Sequence, residues 1–134
     1  MKLSTQADYA VRAVYELARH DPGVVLHTGD IAAAQRIPVP RLAKVIHDLA
    51  RADLVRTQRG HQGGVTLARP AADITVRDVY EAVEGPIIPN RCLLGSGSCD
   101  RVKGCTVHPV WRSVQAQVVQ ILEGVTIADL ADRR

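Results

Sequence analysis

A mainly α-helical fold carrying one small β-hairpin is predicted by three observations. Apolar residues recur at helical spacing through most of the chain. Two short runs of strand character flank a glycine cluster near the middle. A long one-faced helical pattern follows a cysteine-bearing loop near the end. The chain has 134 residues, enough for one domain with its own core. Hydrophobic residues make up 46% and charged residues 23%, which argues against a disordered chain. The aromatics are Tyr9, Tyr15, Tyr80 and Trp111, with no Phe, so the core is aliphatic. So few rings also argue against a stacking platform for single-stranded nucleic acid.

Each element has a local reason. Leu3, Ala7, Ala10, Val11, Val14, Leu17 and Ala18 form the apolar face of a first helix, which Asp21-Pro22-Gly23 stops. Thr28 is the expected N-cap of a short second helix over 29–35. Pro38-Val39-Pro40 opens a third helix, because a first turn has no use for the missing N–H. Leu42, Val45, Ile46 and Leu49 face inward there, with Arg41, Lys44, Asp48 and Arg51 on the other side. Residues 54–57 and 65–68 read as two strands around Gly60-His61-Gln62-Gly63-Gly64, where glycine supplies the positive φ of a hairpin tip. Three helices and then a hairpin is the order of a winged helix-turn-helix head.

Thr75-Val76-Arg77-Asp78 is a capping box that starts a fourth helix, roughly 76–83, ended by Gly85-Pro86. After a loop from Ile87 to about Gly104, Val107, Val110, Trp111, Val114, Val118, Ile121, Leu122 and Val125 share one helical face. About 18 residues give roughly 27 Å of helix. We read this as a C-terminal dimerisation helix, with packing on its own domain as the alternative. A last short helix starts at Thr126, with Asp129 completing a second capping box. The expected organisation is a DNA-binding head over 1–85, a cysteine-rich loop over 86–105, and the long helix with its C-terminal turn over 106–134.

Charge is localised. Arg36, Arg41, Lys44, Arg51, Arg56, Arg59 and Arg69 are opposed only by Asp48 and Asp53, an excess of five in a chain of net charge +3. A patch of this kind suggests a polyanionic partner. No uncharged apolar run approaches the ~18–20 residues that span a bilayer. The N-terminus shows no signal-peptide apolar region, so a cytoplasmic protein is expected. Phosphate-loop and dinucleotide fingerprints are absent, as is any nucleophile–base pairing, so no enzyme and no small-molecule substrate are expected.

The three cysteines, Cys92, Cys99 and Cys105, lie in one loop among Gly95, Ser96, Gly97, Ser98 and Gly104, and His108 follows. An odd number argues against a disulfide framework. Structural zinc favours closer cysteine pairs. A wide glycine-rich cradle suits an iron–sulfur cluster better, with Arg91, Arg101 and Lys103 to offset its charge. Zinc, thiol chemistry and no function remain alternatives on spacing alone.

The opening Met-Lys-Leu-Ser-Thr-Gln-Ala-Asp-Tyr-Ala-Val-Arg-Ala resembles the Rrf-type winged-helix regulators, among them the IscR and NsrR types. Arg59-Gly60-x-x-Gly63-Gly64 is similar to their wing. Cys92…Cys99…Cys105-x-x-His108-x-x-Trp111 is similar to their cluster loop and dimer helix, and Thr126-Ile127-Ala128-Asp129-Leu130 to their C-terminal turn. The Cys92–Cys99 gap is longer than is usual in IscR. The resemblance runs over nearly the whole chain. It implies a homodimeric transcription factor, acting as a repressor, whose operator affinity is controlled by an iron–sulfur cluster responding to nitric oxide, redox state or cluster supply.

The resemblance offers two fourth ligands. His108 corresponds to the histidine of a [2Fe–2S] IscR-type site. Asp8 corresponds to the aspartate that some NsrR-type proteins supply from the partner subunit to a [4Fe–4S] cluster. Each has a plainer reading, His108 as a helix cap and Asp8 closing a capping box with Thr5. For DNA, the third helix is the expected recognition helix. Val39, Pro40, Arg41 and Lys44 lie at its groove-entering end, and Arg59, His61 and Gln62 lie at the wing. The partner is a palindromic double-stranded operator with half-sites about 34–36 Å, or a multiple of that, apart. An iron–sulfur scaffold or electron-transfer protein without DNA binding is the rival from another class.

Overall fold

The computed structural model describes residues 4–60, 63–95, 97 and 99–132. Among them the order is α1 (Thr5–Ala18), α2 (Thr28–Gln35), α3 (Val39–Arg51), β1 (Val55–Gln58), β2 (Gly64–Leu67), α4 (Val76–Glu84), α5 (His108–Glu123) and α6 (Ile127–Asp132). Short 3-10 turns occupy Ala71–Asp73 and Arg91–Leu93. This is the mainly helical winged helix-turn-helix that the sequence predicts. Leu3, His61, Gln62, Ser96 and Ser98, all named above, lie outside the described residues.

The core is aliphatic. Val14, Ile31, Leu42, Leu49, Leu54, Val65, Ile74 and Ile127 are buried in one cluster drawn from the head and from α6. α1 sits at its centre and packs on α2, α3, α4 and α6. Leu42, Val45, Ile46 and Leu49 all point inward from α3, at the helical spacing. Truncating Leu42 or Leu49 to Ala would cost ~2–5 kcal/mol.

The turn between α2 and α3 is held by two features. Arg36 caps α2 in the left-handed region, at φ 55° and ψ 47°. That conformation costs a side-chain-bearing residue roughly 1–2 kcal/mol. Next to it, Ile37 is buried and its N–H donates to the Ala32 carbonyl at 2.9 Å. Burial of Ile37 offsets the cost and fixes where α3 begins.

The wing is an antiparallel pair with Val55 opposite Leu67 and Gln58 opposite Gly64. The strands are displaced by one residue from expectation, but the Ala68 N–H still bonds the Leu54 carbonyl at 3.0 Å. Leu26 forms an isolated β-bridge to the wing by exchanging two backbone hydrogen bonds with Val65, at 2.9 and 2.7 Å. Gly64 permits this approach, because a Cβ there would lie 2.2 Å from the Leu26 carbonyl oxygen.

Three expected caps differ. Ser4, not Thr5, caps α1: its Oγ accepts from the Ala7 N–H at 3.1 Å and donates to Glu84. Thr5 is already helical, so the Thr5–Asp8 capping box does not form. Thr28 is also helical, because the His27 carbonyl accepts the first bonds of α2 from Asp30 and Ile31. At α5 the cap position is Val107, with no side-chain hydrogen bond, so His108 does not act as a cap. The two other capping boxes form as expected, Thr75 with Asp78 and Thr126 with Asp129.

α5 has 16 residues, about 24 Å. It is shorter than expected because Gly124 ends it and Val125 turns back to the head, where its carbonyl accepts from Val76 at 2.9 Å.

Candidate nucleic-acid interface and sensor loop

α3 exposes the end expected to enter a groove. Val39, Pro40, Arg41 and Lys44 are all exposed, and Val39, although apolar, is 54% exposed. An apolar side chain held out in water beside cations suits the methyl group of thymine. Arg51, Arg56 and Arg59 are exposed as well. Lys44 is less free than its position suggests. Its ammonium donates to both carboxylate oxygens of Asp48, at 2.8 and 3.0 Å.

Among the described residues, Glu16 is the charged side chain that is buried, 5% exposed. It accepts from Gln35 of α2 at 2.8 Å and from Arg19 at 3.0 Å, and it contacts the His20 ring at 3.1 Å. Burial alone would push its carboxyl up. The hydrogen bonds from Gln35 and His20 and the charge of Arg19 outweigh burial and hold it below the usual range. The residue thereby locks α2 onto α1. Its place beside Ala13 and Leu17 on the apolar face of α1 was the available sequence signal.

The cysteine loop rests against the start of α5. Cys92, Cys99 and His108 line one cavity of about 430 Å³, together with Gly95, Gly97 and Lys103. All three cysteines are free thiols and half-buried. Cys105 stands three residues before His108, ahead of α5 and outside that lining. Nδ1 of His108 is buried without a hydrogen-bond partner among the described residues. An orphaned ring nitrogen beside two thiols is a donor set for a soft metal. Among the described residues no three His, Cys, Asp or Glu side chains converge on the spacing of a single ion.

Asp8 lies elsewhere. It is exposed on α1 and pairs with Arg12 at 2.9 Å, so one chain by itself does not bring it to the cavity.

Of the residues expected to form the dimer face, Val107, Val110, Val114 and Ile121 are exposed, Ile121 by 64%. Trp111 is half-buried. Val118 and Leu122, with Val119, turn the other way and pack on Ala7, Tyr80 and Ile87. The expected single face is thus divided between an own-domain contact and an uncovered stripe.

Residues 3–133 match the family model Rrf2, described as an iron-dependent transcriptional regulator. The chain belongs to the Rrf2 family. A Mycobacterium tuberculosis protein bearing an HTH-type transcriptional regulator name is 39% identical to it over 98% of this chain and 81% of its own length. The solved IscR of T. potens is 32% identical, with a TM-score of 0.77, over 97% of this chain and 85% of that one. CymR, the global cysteine regulator of B. subtilis, is 27% identical with a TM-score of 0.80, covering 100% and 98% of the two chains. This Rrf2 protein is therefore a DNA-binding transcriptional regulator by family. Among its described residues no helix is long and apolar enough to cross a membrane.

Sequence reading did not find the Lys44–Asp48 pair, the Leu26–Val65 bridge or the Gln115 side chain of α5, which donates to the Ile87 carbonyl. The first was visible as an i, i+4 charge pair. The other two are long-range contacts with no local signature.

Proposed function

We propose that this Rrf2 protein is an operator-binding repressor whose DNA affinity is set by an iron–sulfur cluster held by Cys92, Cys99, Cys105 and His108. The cavity that gathers Cys92, Cys99 and the orphaned Nδ1 of His108 carries this reading. The N-terminal end of α5 adds a favourable partial positive charge beside an anionic thiolate cage. Arg91, Arg101 and Lys103 add full charges. When bound, such a cluster supplies a centre that responds to redox state, nitric oxide or cluster supply. A role as scaffold or electron carrier would leave the cationic segment and the wing unexplained.

His108 is the fourth ligand in this reading, because it lines the cavity with Cys92 and Cys99; Asp8, which the resemblance would bring from the partner subunit, is the alternative that the variants below separate. Two chains associate through the uncovered stripe of α5 and place two α3 helices on a palindromic operator. Arg41 and Val39 read base edges, Lys44 and Arg51 contact phosphate, and Arg59 with His61 and Gln62 enters the flanking minor groove.

The test is anaerobic purification with iron and sulfide counts, then operator gel shifts of holo and apo protein at one salt concentration. The expected affinities differ by about 5–150-fold, the span of ~1–3 kcal/mol of coupling. Native mass spectrometry of His108→Ala should show cluster loss, and Asp8→Ala should retain it. A colourless, metal-free protein with full operator affinity in every redox condition refutes the proposal.

A further inference from the structure

We infer that the cavity behind the wing binds a small carboxylate with an apolar body, a second ligand site separate from the cysteine loop. The cavity is about 520 Å³ and lies between the end of α1, the turn after it, and β2 with the segment that follows. That volume is within the ~300–1,000 Å³ range of small-molecule pockets. Leu17, Val24, Leu67 and Pro70 supply an apolar wall. Arg69 supplies an exposed cation that has no ion-pair partner among the described residues.

Thr66 is the residue that points to a ligand. It lines this cavity, and its Oγ1, turned away from the opening and buried in this rotamer, has no hydrogen-bond partner among the described residues. Buried polar atoms in folded proteins are nearly always satisfied, so an orphan at a cavity wall asks for an occupant. Rotation about χ1 exchanges hydroxyl and methyl and offers the O–H to a carboxylate. Asp21 lines the same cavity, and its carboxylate has no ion-pair or hydrogen-bond partner among the described residues. An ammonium group on the ligand would therefore be tolerated or welcomed.

An occupant touches two parts of the reading head. Thr66 adjoins Val65, which carries the bridge to Leu26 beneath the wing. His20, also at the wall, contacts Glu16, which holds Gln35 of α2. An effect of the ligand on operator affinity rests on the function proposed above, whereas binding itself does not.

The experiment is calorimetric titration of the anaerobically purified protein, without DNA, with 4-methylvalerate and separately with leucine. Saturable binding of one ligand per chain is expected, weakened about tenfold or more in both Thr66→Val and Arg69→Ala. Thr66→Val removes an unsatisfied hydroxyl at nearly constant shape, so its melting temperature should not fall and lost binding is not lost folding. Tighter leucine binding assigns Asp21 to the ammonium, and tighter 4-methylvalerate binding leaves the site to Arg69 and Thr66 alone. No binding of either compound at about 10 mM, or wild-type affinity in both variants, overturns the inference. Neither result depends on cluster content or on DNA, so it is separable from failure of the sensor reading.

Discussion

The Gln115 side-chain amide of α5 donates to the Ile87 carbonyl at 2.8 Å, across 28 residues of chain. Ile87 is the first buried residue after α4, and it packs with Ala7, Tyr80, Val118 and Leu122. The contact therefore ties α5 to the point where the chain leaves the head. Gln115→Leu should cost about 1 kcal/mol, a fall of about 3–5 °C in melting temperature. If holo and apo states communicate through this joint, the ratio of their operator affinities should shrink at least about threefold. Calorimetry and paired gel shifts check both, and an unchanged ratio removes this contact from the coupling.

Glu16 should shape the acid limb of stability. Its carboxyl titrates below the ordinary range in the folded chain, so it binds a proton more readily when unfolded. The stabilisation is present above the unfolded value near 4.5 and is lost as pH falls through the lower folded value. Glu16→Gln should lower stability by about 1.5–3 kcal/mol at neutral pH and flatten the stability curve below about pH 4.5. Urea unfolding across that range measures it. An acid limb identical to wild type would assign the pH dependence to other carboxylates.

Asp48 restrains Lys44 along α3. Asp48→Asn removes the restraint and one negative charge from the groove-facing helix, so operator affinity should rise a few-fold. The salt dependence should steepen by about one phosphate contact. Arg59→Ala should do the reverse, weakening binding and making the slope shallower by about one. Fluorescence anisotropy at several salt concentrations separates the two.

Ile121 stands 64% exposed on the stripe of α5 left uncovered by its own domain. Ile121→Glu should leave the melting of a single chain nearly unchanged while shifting sedimentation from dimer to monomer. Operator affinity should then fall steeply, because each half-site is bound alone. An Ile121→Glu variant that remains dimeric would place the interface elsewhere.

Much of this molecule is local and was legible in the sequence. The element order, the inward face of α3 from Leu42 to Leu49, and the Thr75–Asp78 and Thr126–Asp129 capping boxes depend on neighbours within a few residues. They are set by periodicity and hydrogen-bonding chemistry alone. At Ser4 and His27 the same rules missed by one residue, because neighbouring residues competed for the cap and only the backbone path chose between them. The cysteine loop was legible as a soft-metal candidate from residue type and spacing.

The choice between partners of equal chemistry was not legible. Val114 and Val118 are the same residue one turn apart, and only the placement of Tyr80 and Ile87 leaves one exposed and covers the other. His108 and Asp8 are both competent ligands by chemistry. Only the tertiary structure seats His108 in the cavity with Cys92 and Cys99, its Nδ1 buried without a partner among the described residues, and pairs Asp8 with Arg12 within one chain. The physical reason is that burial and proximity across 28 or 80 residues are properties of how helices stack, which no window of sequence contains.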